Sequence, residues 1–426
     1  RAKLVGAWAQ LIRANADEIA ALDTATVGRM TKDAKNDVAR SVGELEHWAA
    51  QGPEYLLRAE RSSIASTLFM TGAEPVGVCG LLLPGNVPSR MFLVHSAIAL
   101  GLGNAVVAKP AEYAPLSALR FAELSVEAGI PAGVVNVVTG AGSVGAALVD
   151  HPDVGGLSFT GSTSTGALVA VGAAKRFAKI ALELGGKSPQ IIFGDADLDI
   201  AAEAVVWSVC SNAGQVCTAG TRALIHESVY DEMLAKIAQL VAKVRVGDPV
   251  RRDVHIGPLS TRRQYDRVVE MVESGKQETR LVFGGEPAPE AGPGYYFRPT
   301  IFADVQPTAR VFQEEIFGPV LCATPFGDDA EAVALANNSH YGLVANIWTA
   351  DFRRAMRTAN ALDVGTVWYG SSRIGDPHMP VRAGSKSGGS HLRGLVDVFT
   401  KDKTIGAPYG ATDYGTTWNL KEMTSR

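Results

Sequence analysis

Cysteine is scarce in this chain: four residues in 426, at Cys79, Cys210, Cys217 and Cys322, with no Cys-x-x-Cys pair and no dense spacing. There is no disulfide framework to read, so a reducing compartment fits better than secretion, and a cytoplasmic location is expected. Metal-ligand patterns are missing as well. None of the eight histidines falls in His-Glu-x-x-His or in a cluster with cysteine, so no metal is implied. Neither sign of charge dominates, and a formal net charge of −4 gives no electrostatic case for nucleic acid or an anionic membrane. No run of about eighteen apolar residues escapes interruption by charge or glycine, so no transmembrane helix is expected. The stretch from Met91 to Ala108 is the most apolar, but its glycines and the following Lys109-Pro110 suit a core helix feeding a strand. The first residue, Arg1, already lies within a helical pattern, so a targeting segment cannot be read.

What remains is an ordinary globular composition, 46% apolar and 20% charged, in a chain long enough for two or three domains around a large interior. Leu4, Trp8, Leu11 and Ile12 recur at helical spacing, and the first fifty residues read as amphipathic helices. Residues 57–75 lose that period and suit extended strands. From Pro75 to about Gly185, short apolar runs (76–83, 105–108, 134–138) alternate with helices that begin after Pro or Ser. That alternation predicts a parallel sheet covered by helices, the α/β class, with nucleotide binding at the carboxyl ends of its strands. A second set of strands and helices follows, including 222–226 and 319–323, and a last strand is expected over 399–405. Residues 409–426 are polar and turn-rich.

Two short segments carry the chemistry. Cys217 lies in Asn212-Ala213-Gly214-Gln215-Val216-Cys217-Thr218, and Glu183 in Leu182-Glu183-Leu184-Gly185-Gly186-Lys187-Ser188-Pro189. A thiol presented by a small-residue turn, with a carboxylate on a glycine-tight loop, is what covalent oxidation of an aldehyde followed by hydrolysis needs. An ordinary thiol is only slightly ionised at neutral pH, so Cys217 would draw thiolate character from backbone N–H dipoles or a neighbouring base. Cys79, Cys210 and Cys322 lie in apolar runs and read as small buried hydrophobes.

These segments resemble the nucleophile and general-base motifs of the aldehyde dehydrogenase superfamily. The resemblance continues through Pro84-Gly85-Asn86-Val87-Pro88, Lys109-Pro110-Ala111-Glu112, Phe159-Thr160-Gly161-Ser162-Thr163, Glu314-Glu315-Ile316-Phe317-Gly318-Pro319 and Gly365-Thr366-Val367-Trp368, in the family's order and over nearly the whole chain. It implies a Rossmann-type NAD-binding domain at 1–56 and 76–185, an α/β catalytic domain at 186–388, and oligomerisation strands at 57–75 and 399–408, with 409–426 as a tail. It further implies Cys217 as nucleophile, Glu183 as the base that activates water, and the Asn86 amide with the Cys217 N–H as donors to the alkoxide. Asn86 on its own would read as a turn residue beside proline. Lys109 and Glu112 are implied for the adenosine ribose, and Gly161 and Ser162 for the pyrophosphate. Gly142 is implied beside the adenine, although 140–145 is also a literal G-x-G-x-x-G, and Glu315 and Phe317 for the nicotinamide riboside. A carboxylate at Glu112 favours NAD, with NADP possible.

The resemblance also implies a homodimer or homotetramer acting on a small-molecule aldehyde. Arg90, Met91, Val94, Ser211 and Arg373 are candidates for the substrate channel, with Arg90 or Arg373 positioned for an anionic group, or else paired structurally or turned to solvent. Gly85 stands where the family usually has Trp, and the segments 369–372 and 382–386 depart from its pattern. Glu183 favours hydrolysis over transfer of the acyl group to coenzyme A. That acylating variant and a non-catalytic structural member are the alternatives.

Overall fold

A computed structural model of the chain describes residues 1–60, 67–371, 383–389 and 394–408. Strands β1 (Leu57–Glu60) and β2 (Thr67–Pro75) form an antiparallel pair. Next come β3 (Val78–Leu82), β4 (Ala105–Lys109), β5 (Val135–Val137), β6 (Val154–Thr160) and β7 (Lys179–Glu183), which make a five-stranded sheet in the order β5-β4-β3-β6-β7, parallel throughout. Parallel neighbours need long crossovers, and helices Pro88–Gly101, Leu116–Glu127, Gly142–Asp150 and Thr163–Ala174 supply them. The helix Pro88–Gly101 is buried on nearly every side, as its apolar sequence requires, and feeds β4 through a turn at Gly103.

The N-terminal helices cover this sheet. Val5, Trp8, Ala9 and Ile12 point inward from helix Ala2–Ala14, and the Trp8 indole donates to Phe121 O at 3.0 Å. Phe92, Phe121 and Leu81 join them in one buried cluster.

A seven-stranded sheet holds β8 (Pro189–Ile192), β9 (Arg222–His226), β10 (Arg280–Phe283), β11 (Thr300–Ala303), β12 (Val320–Phe326), β13 (Val344–Trp348) and β14 (Thr366–Tyr369), in the order β10-β11-β12-β9-β8-β13-β14. Only β10 runs antiparallel, at the edge. Its central strands are apolar on both faces and support the largest core cluster, as helix-covered parallel strands do. Finally β15 (Thr400–Pro408) pairs antiparallel with β2, completing a three-stranded sheet. Phe399, expected to open this strand, instead ends the helix Gly394–Phe399. Its ring is fully buried and its carbonyl is taken by Asn104 Nδ2 at 3.0 Å and Val76 N at 3.2 Å, which ties it to the sheet core.

The two large sheets contribute to the site differently. Register sets Leu82, Lys109 and Phe159 across adjacent strands, and Thr160 opposite Glu183, so the carboxyl edge of the five-stranded sheet carries Asn86, Lys109, Gly161, Ser162 and Glu183 on or just beyond it. The seven-stranded sheet gives the loops that precede its strands: 185–188 before β8, 215–221 before β9 and 315–319 before β12. Among the described residues, no helix is long and apolar enough to cross a membrane.

Candidate active site

Cys217 is placed by a run of left-handed backbone. After helix Leu198–Cys210 the chain passes through Asn212 (φ 52°), Ala213 (φ 54°) and Gly214 (φ 73°). Positive φ at two residues that are not glycine is costly, and it is held here by packing and by hydrogen bonds. Gly214 is obligatory, because a Cβ there would stand 2.1 Å from Gly318 O. Gln215, almost fully buried, ties the turn: its Nε2 donates to Asn212 O at 3.0 Å and its Oε1 accepts from Ser260 N at 2.9 Å. Gln215 O in turn accepts from Asn86 Nδ2 at 2.9 Å, while Asn212 Nδ2 donates to Asn86 O at 3.0 Å. One of the two Asn86 amide hydrogens is thus fixed on Gln215, which leaves the other to a ligand.

The Leu184-Gly185-Gly186 loop brings three segments together. A Cβ on Gly185 would lie 2.4 Å from Glu315 Oε2, and one on Gly186 would lie 2.2 Å from Cys217 O. Gly186 N donates to Glu315 Oε1 at 3.1 Å. The loop is pinned from behind by Ser387, whose Oγ donates to Gly185 O at 2.7 Å and whose carbonyl accepts from Leu184 N at 3.1 Å. Only glycine lets the chain approach this closely.

The electrostatics are those of a partly closed site. Cys217 keeps some surface on the cavity but is otherwise enclosed, and burial, then the carboxylates of Glu315 and Glu183, push its thiol up to about 12. The backbone N–H groups of Cys217 and Thr218 pull the other way and are outweighed. The thiolate character expected from the backbone dipoles is therefore not present in the free site, because desolvation wins. Glu183 is pushed up to about 8 by burial, and its Oε1 is buried without a hydrogen-bond partner. Cys79, Cys210 and Cys322 are buried and free, and Cys322 donates to Val311 O at 3.0 Å.

One cavity, of about 1180 Å³, is lined by Asn86, Glu183 and Cys217 and also by Lys109, Glu112, Gly142, Gly161, Ser162, Glu315 and Phe317. Every candidate nucleophile, base, donor and cofactor residue named from the sequence meets there. Ser162 caps helix Thr163–Ala174, its Oγ accepting from Thr165 N at 3.3 Å. Nothing lies within 4 Å of where a Cβ of Gly142 would be. Lys109 is buried, its Nζ on Pro110 O at 2.9 Å. Phe317 takes a left-handed φ of 56°. Gln264 Nε2 holds that turn through Ile316 O and Phe317 O, both at 2.9 Å. Gln264 and Ser387 were not singled out from the sequence, and an isolated glutamine or serine gives no signal there. Gln215 was visible in its motif, but its bracing of Asn86 was not.

The aldehyde dehydrogenase family model matches residues 1–405. The chain belongs to the aldehyde dehydrogenase family. It is 41% identical to a hydroxyisobutyraldehyde dehydrogenase of Mycolicibacterium austroafricanum over 95% of this chain and 81% of that protein. Among solved structures, the NAD-dependent aldehyde dehydrogenase of Sinorhizobium meliloti superposes with a TM-score of 0.93 at 34% identity, covering 98% of this chain and 83% of that one. The indole-3-acetaldehyde dehydrogenase of P. syringae, solved with NAD+, gives 0.92 at 36% identity, over 96% and 84%.

The cavity of this aldehyde dehydrogenase fits a dinucleotide on its own features. A capped helix N-terminus suits a pyrophosphate, an open glycine at Gly142 leaves room for a flat group, and Glu112 and Glu315 put carboxylate acceptors of the kind ribose hydroxyls need on the cavity wall. Among the described residues, no cluster of His, Cys, Asp and Glu could hold a metal ion. The substrate candidates fall elsewhere. Arg90 pairs with Glu44 at 3.3 Å, so the anion expected for it is supplied within the chain. Met91 packs on the N-terminal core, Val94 is 1% exposed, and Ser211 opens the left-handed turn. None of these four lines the cavity. Arg373 and the tail at 409–426 lie outside the described residues.

Proposed function

We propose that this aldehyde dehydrogenase oxidises an aldehyde to its carboxylic acid with NAD, in two stages on Cys217. The observation that carries the assignment of roles is the single cavity shared by Cys217, Glu183, Asn86 and the capped helix behind Ser162. In the first stage the Cys217 thiol passes its proton to solvent water and its sulfur bonds to the carbonyl carbon as the C=O π pair moves onto oxygen, forming a thiohemiacetal alkoxide. Asn86 Nδ2–H and the Cys217 N–H donate to that oxygen, and each such donor is worth about 2.7–4 kcal/mol at the transition state. Bound nicotinamide supplies the acceptor for the hydride that leaves this carbon. In the second stage Glu183 takes a proton from water as the oxygen attacks the thioester, and it gives that proton to the Cys217 sulfur as the C–S bond breaks. A base near pH 8 is well matched to that task.

Lys109, Glu112, Gly142, Gly161 and Ser162 hold the adenosine diphosphate part of the cofactor in this reading, and Glu315 and Phe317 the nicotinamide riboside. The Glu112 carboxylate opposes a 2′-phosphate, which favours NAD over NADP. Residues 76–185 with 1–56 serve as cofactor domain and 186–388 as catalytic domain. A homodimer or homotetramer belongs to the same reading, since β15 is the outer strand of its sheet and a second copy would extend it. The free cysteines suit a cytoplasmic location.

The test is NADH production across a panel of aliphatic, aromatic and ω-carboxy aldehydes, with and without coenzyme A. Turnover without coenzyme A, lost by at least about 10³-fold in Cys217→Ser, is expected. A coenzyme A requirement would replace hydrolysis by acyl transfer. Failure of every aldehyde would favour a structural role.

A further inference from the structure

Tyr113 has no part in the reaction as described, yet it stands in the middle of the site. It follows Glu112 after β4, is 40% exposed, and lines the cavity shared by Asn86 and Cys217. Its ring lies directly on the backbone of Gly85. A Cβ at Gly85 would be 2.5 Å from Cε2, 2.6 Å from Cζ and 2.8 Å from the hydroxyl, well inside van der Waals contact. Position 85 is therefore closed to any side chain while Tyr113 keeps this place. The space that a side chain at position 85 would take is filled by a ring delivered from residue 113.

The Gly85 backbone and the Ser260 side chain lie close enough to the phenol oxygen to favour its ionised form, against the burial that raises its pKa. Ser260 N donates to Gln215 Oε1 at 2.9 Å, and Gln215 O accepts from Asn86 Nδ2 at 2.9 Å. Gly85, Tyr113 and Ser260 therefore lie together beside Gln215 and Asn86, the residue that follows Gly85 in the chain.

We propose that Tyr113 is a positioning residue: seated on Gly85 and beside Ser260, it fixes the Asn86 amide for the alkoxide and walls the dinucleotide cavity. The inference rests on the assignment of that cavity to NAD and of Asn86 to the alkoxide. It makes Gly85 and Tyr113 a coupled pair.

A double-mutant cycle tests it, with Tyr113→Ala, Gly85→Ala and the double variant compared by kcat, KM and fluorescence titration of NADH, alongside Tyr113→Phe. Tyr113→Ala should lower kcat about tenfold and weaken NADH binding several-fold, and Gly85→Ala should do the same by displacing the ring. In the double variant the Gly85 substitution should add nothing, because its clash is gone. Tyr113→Phe keeps the ring and should bind NADH nearly as the wild type does, with kcat reduced about two- to fivefold and an unchanged melting temperature. A silent Gly85→Ala, or penalties that simply add, overturns the proposal, and a Tyr113→Phe variant with wild-type kcat overturns the part given to its hydroxyl beside Ser260. If the wild type itself neither binds NADH nor reduces NAD with any aldehyde, the dehydrogenase reading fails instead.

Discussion

Glu314 and Glu315 are neighbours in the chain and occupy opposite electrostatic regions. Glu314 belongs to a surface cluster, where Arg310 Nε donates to it at 2.8 Å and Arg267 pairs with it as well, and these arginines hold its carboxyl down at about 2. Glu315 belongs to the cavity wall. Burial pushes it up to about 7, against the Gly186 N–H at 3.1 Å and the charge of Lys187. Glu183, on the same wall, is raised to about 8 by burial. Glu314 is matched by cations and stays charged around neutral pH, whereas Glu183 and Glu315 can gain or lose a proton there. That difference, rather than residue type, separates groups that hold structure from groups that can take part in chemistry.

The strongest way to break the contrast is Glu183→Gln. If Glu183 moves protons, thioester hydrolysis should fall by about 10²–10⁴ while the first NADH burst, stoichiometric with Cys217, survives. A lost burst would mean that the glutamate serves the thiol and not the water. In the wild type, single-turnover decay of the thioester should speed up as pH rises toward about 8 and then level off, following ionisation of Glu183. The variant should show no such rise.

The same group should leave a mark on stability. Below the ordinary carboxyl range Glu183 is neutral folded and unfolded, and it costs nothing. As pH climbs, the unfolded chain ionises first and the buried carboxyl does not, so stability is lost progressively until about pH 8, where the folded state ionises too. Glu183→Gln should therefore match the wild type near pH 4 and exceed it by on the order of 2 kcal/mol at pH 9, read from denaturant melts at both pH values.

Glu315→Gln should have a smaller, binding-type effect. Losing a charged acceptor weakens cofactor binding by about tenfold, seen as a raised KM for NAD. Wild-type affinity should increase as pH rises through about 7, and the variant's should stay flat. A pH-independent wild type would remove Glu315 from the ribose.

The sequence made the five-stranded half more legible than the seven-stranded half, for a physical reason. Parallel α/β sheets bind ligands beyond their carboxyl edges, so the segments after the apolar runs 76–83 and 105–108, which carry Asn86 and Lys109, could be placed from strand ends, whereas the roles of Gly161 and Glu183 came from the resemblance. The opposite half builds its share from loops that precede strands, and there the decisive features are close approaches: Gly186 on Cys217 O, Gly214 on Gly318 O, Gln264 on the carbonyls of Ile316 and Phe317. Such contacts join residues far apart in the chain, and no local pattern announces them. Arg90, which the sequence left open between a substrate anion and a structural pairing, makes another such long-range contact. A carboxylate on another helix, Glu44, already faces it.

Glu314→Gln is the quietest test and the sharpest control for the neighbour comparison. Its ion pairs with Arg267 and Arg310 are partly exposed, with the Glu314 side chain at 40% of full exposure, so solvent screening leaves them worth less than about 1 kcal/mol together. A folded carboxyl held below its unfolded value stabilises above the ordinary range, and that contribution is lost as pH falls toward about 2. The substitution should accordingly lower stability slightly at pH 7, shrink in effect with acid and with added salt, and leave kcat and KM for NAD unchanged. If it instead raised KM as much as Glu315→Gln does, the two neighbours would share one function, and the separation between surface cluster and cavity wall would not hold.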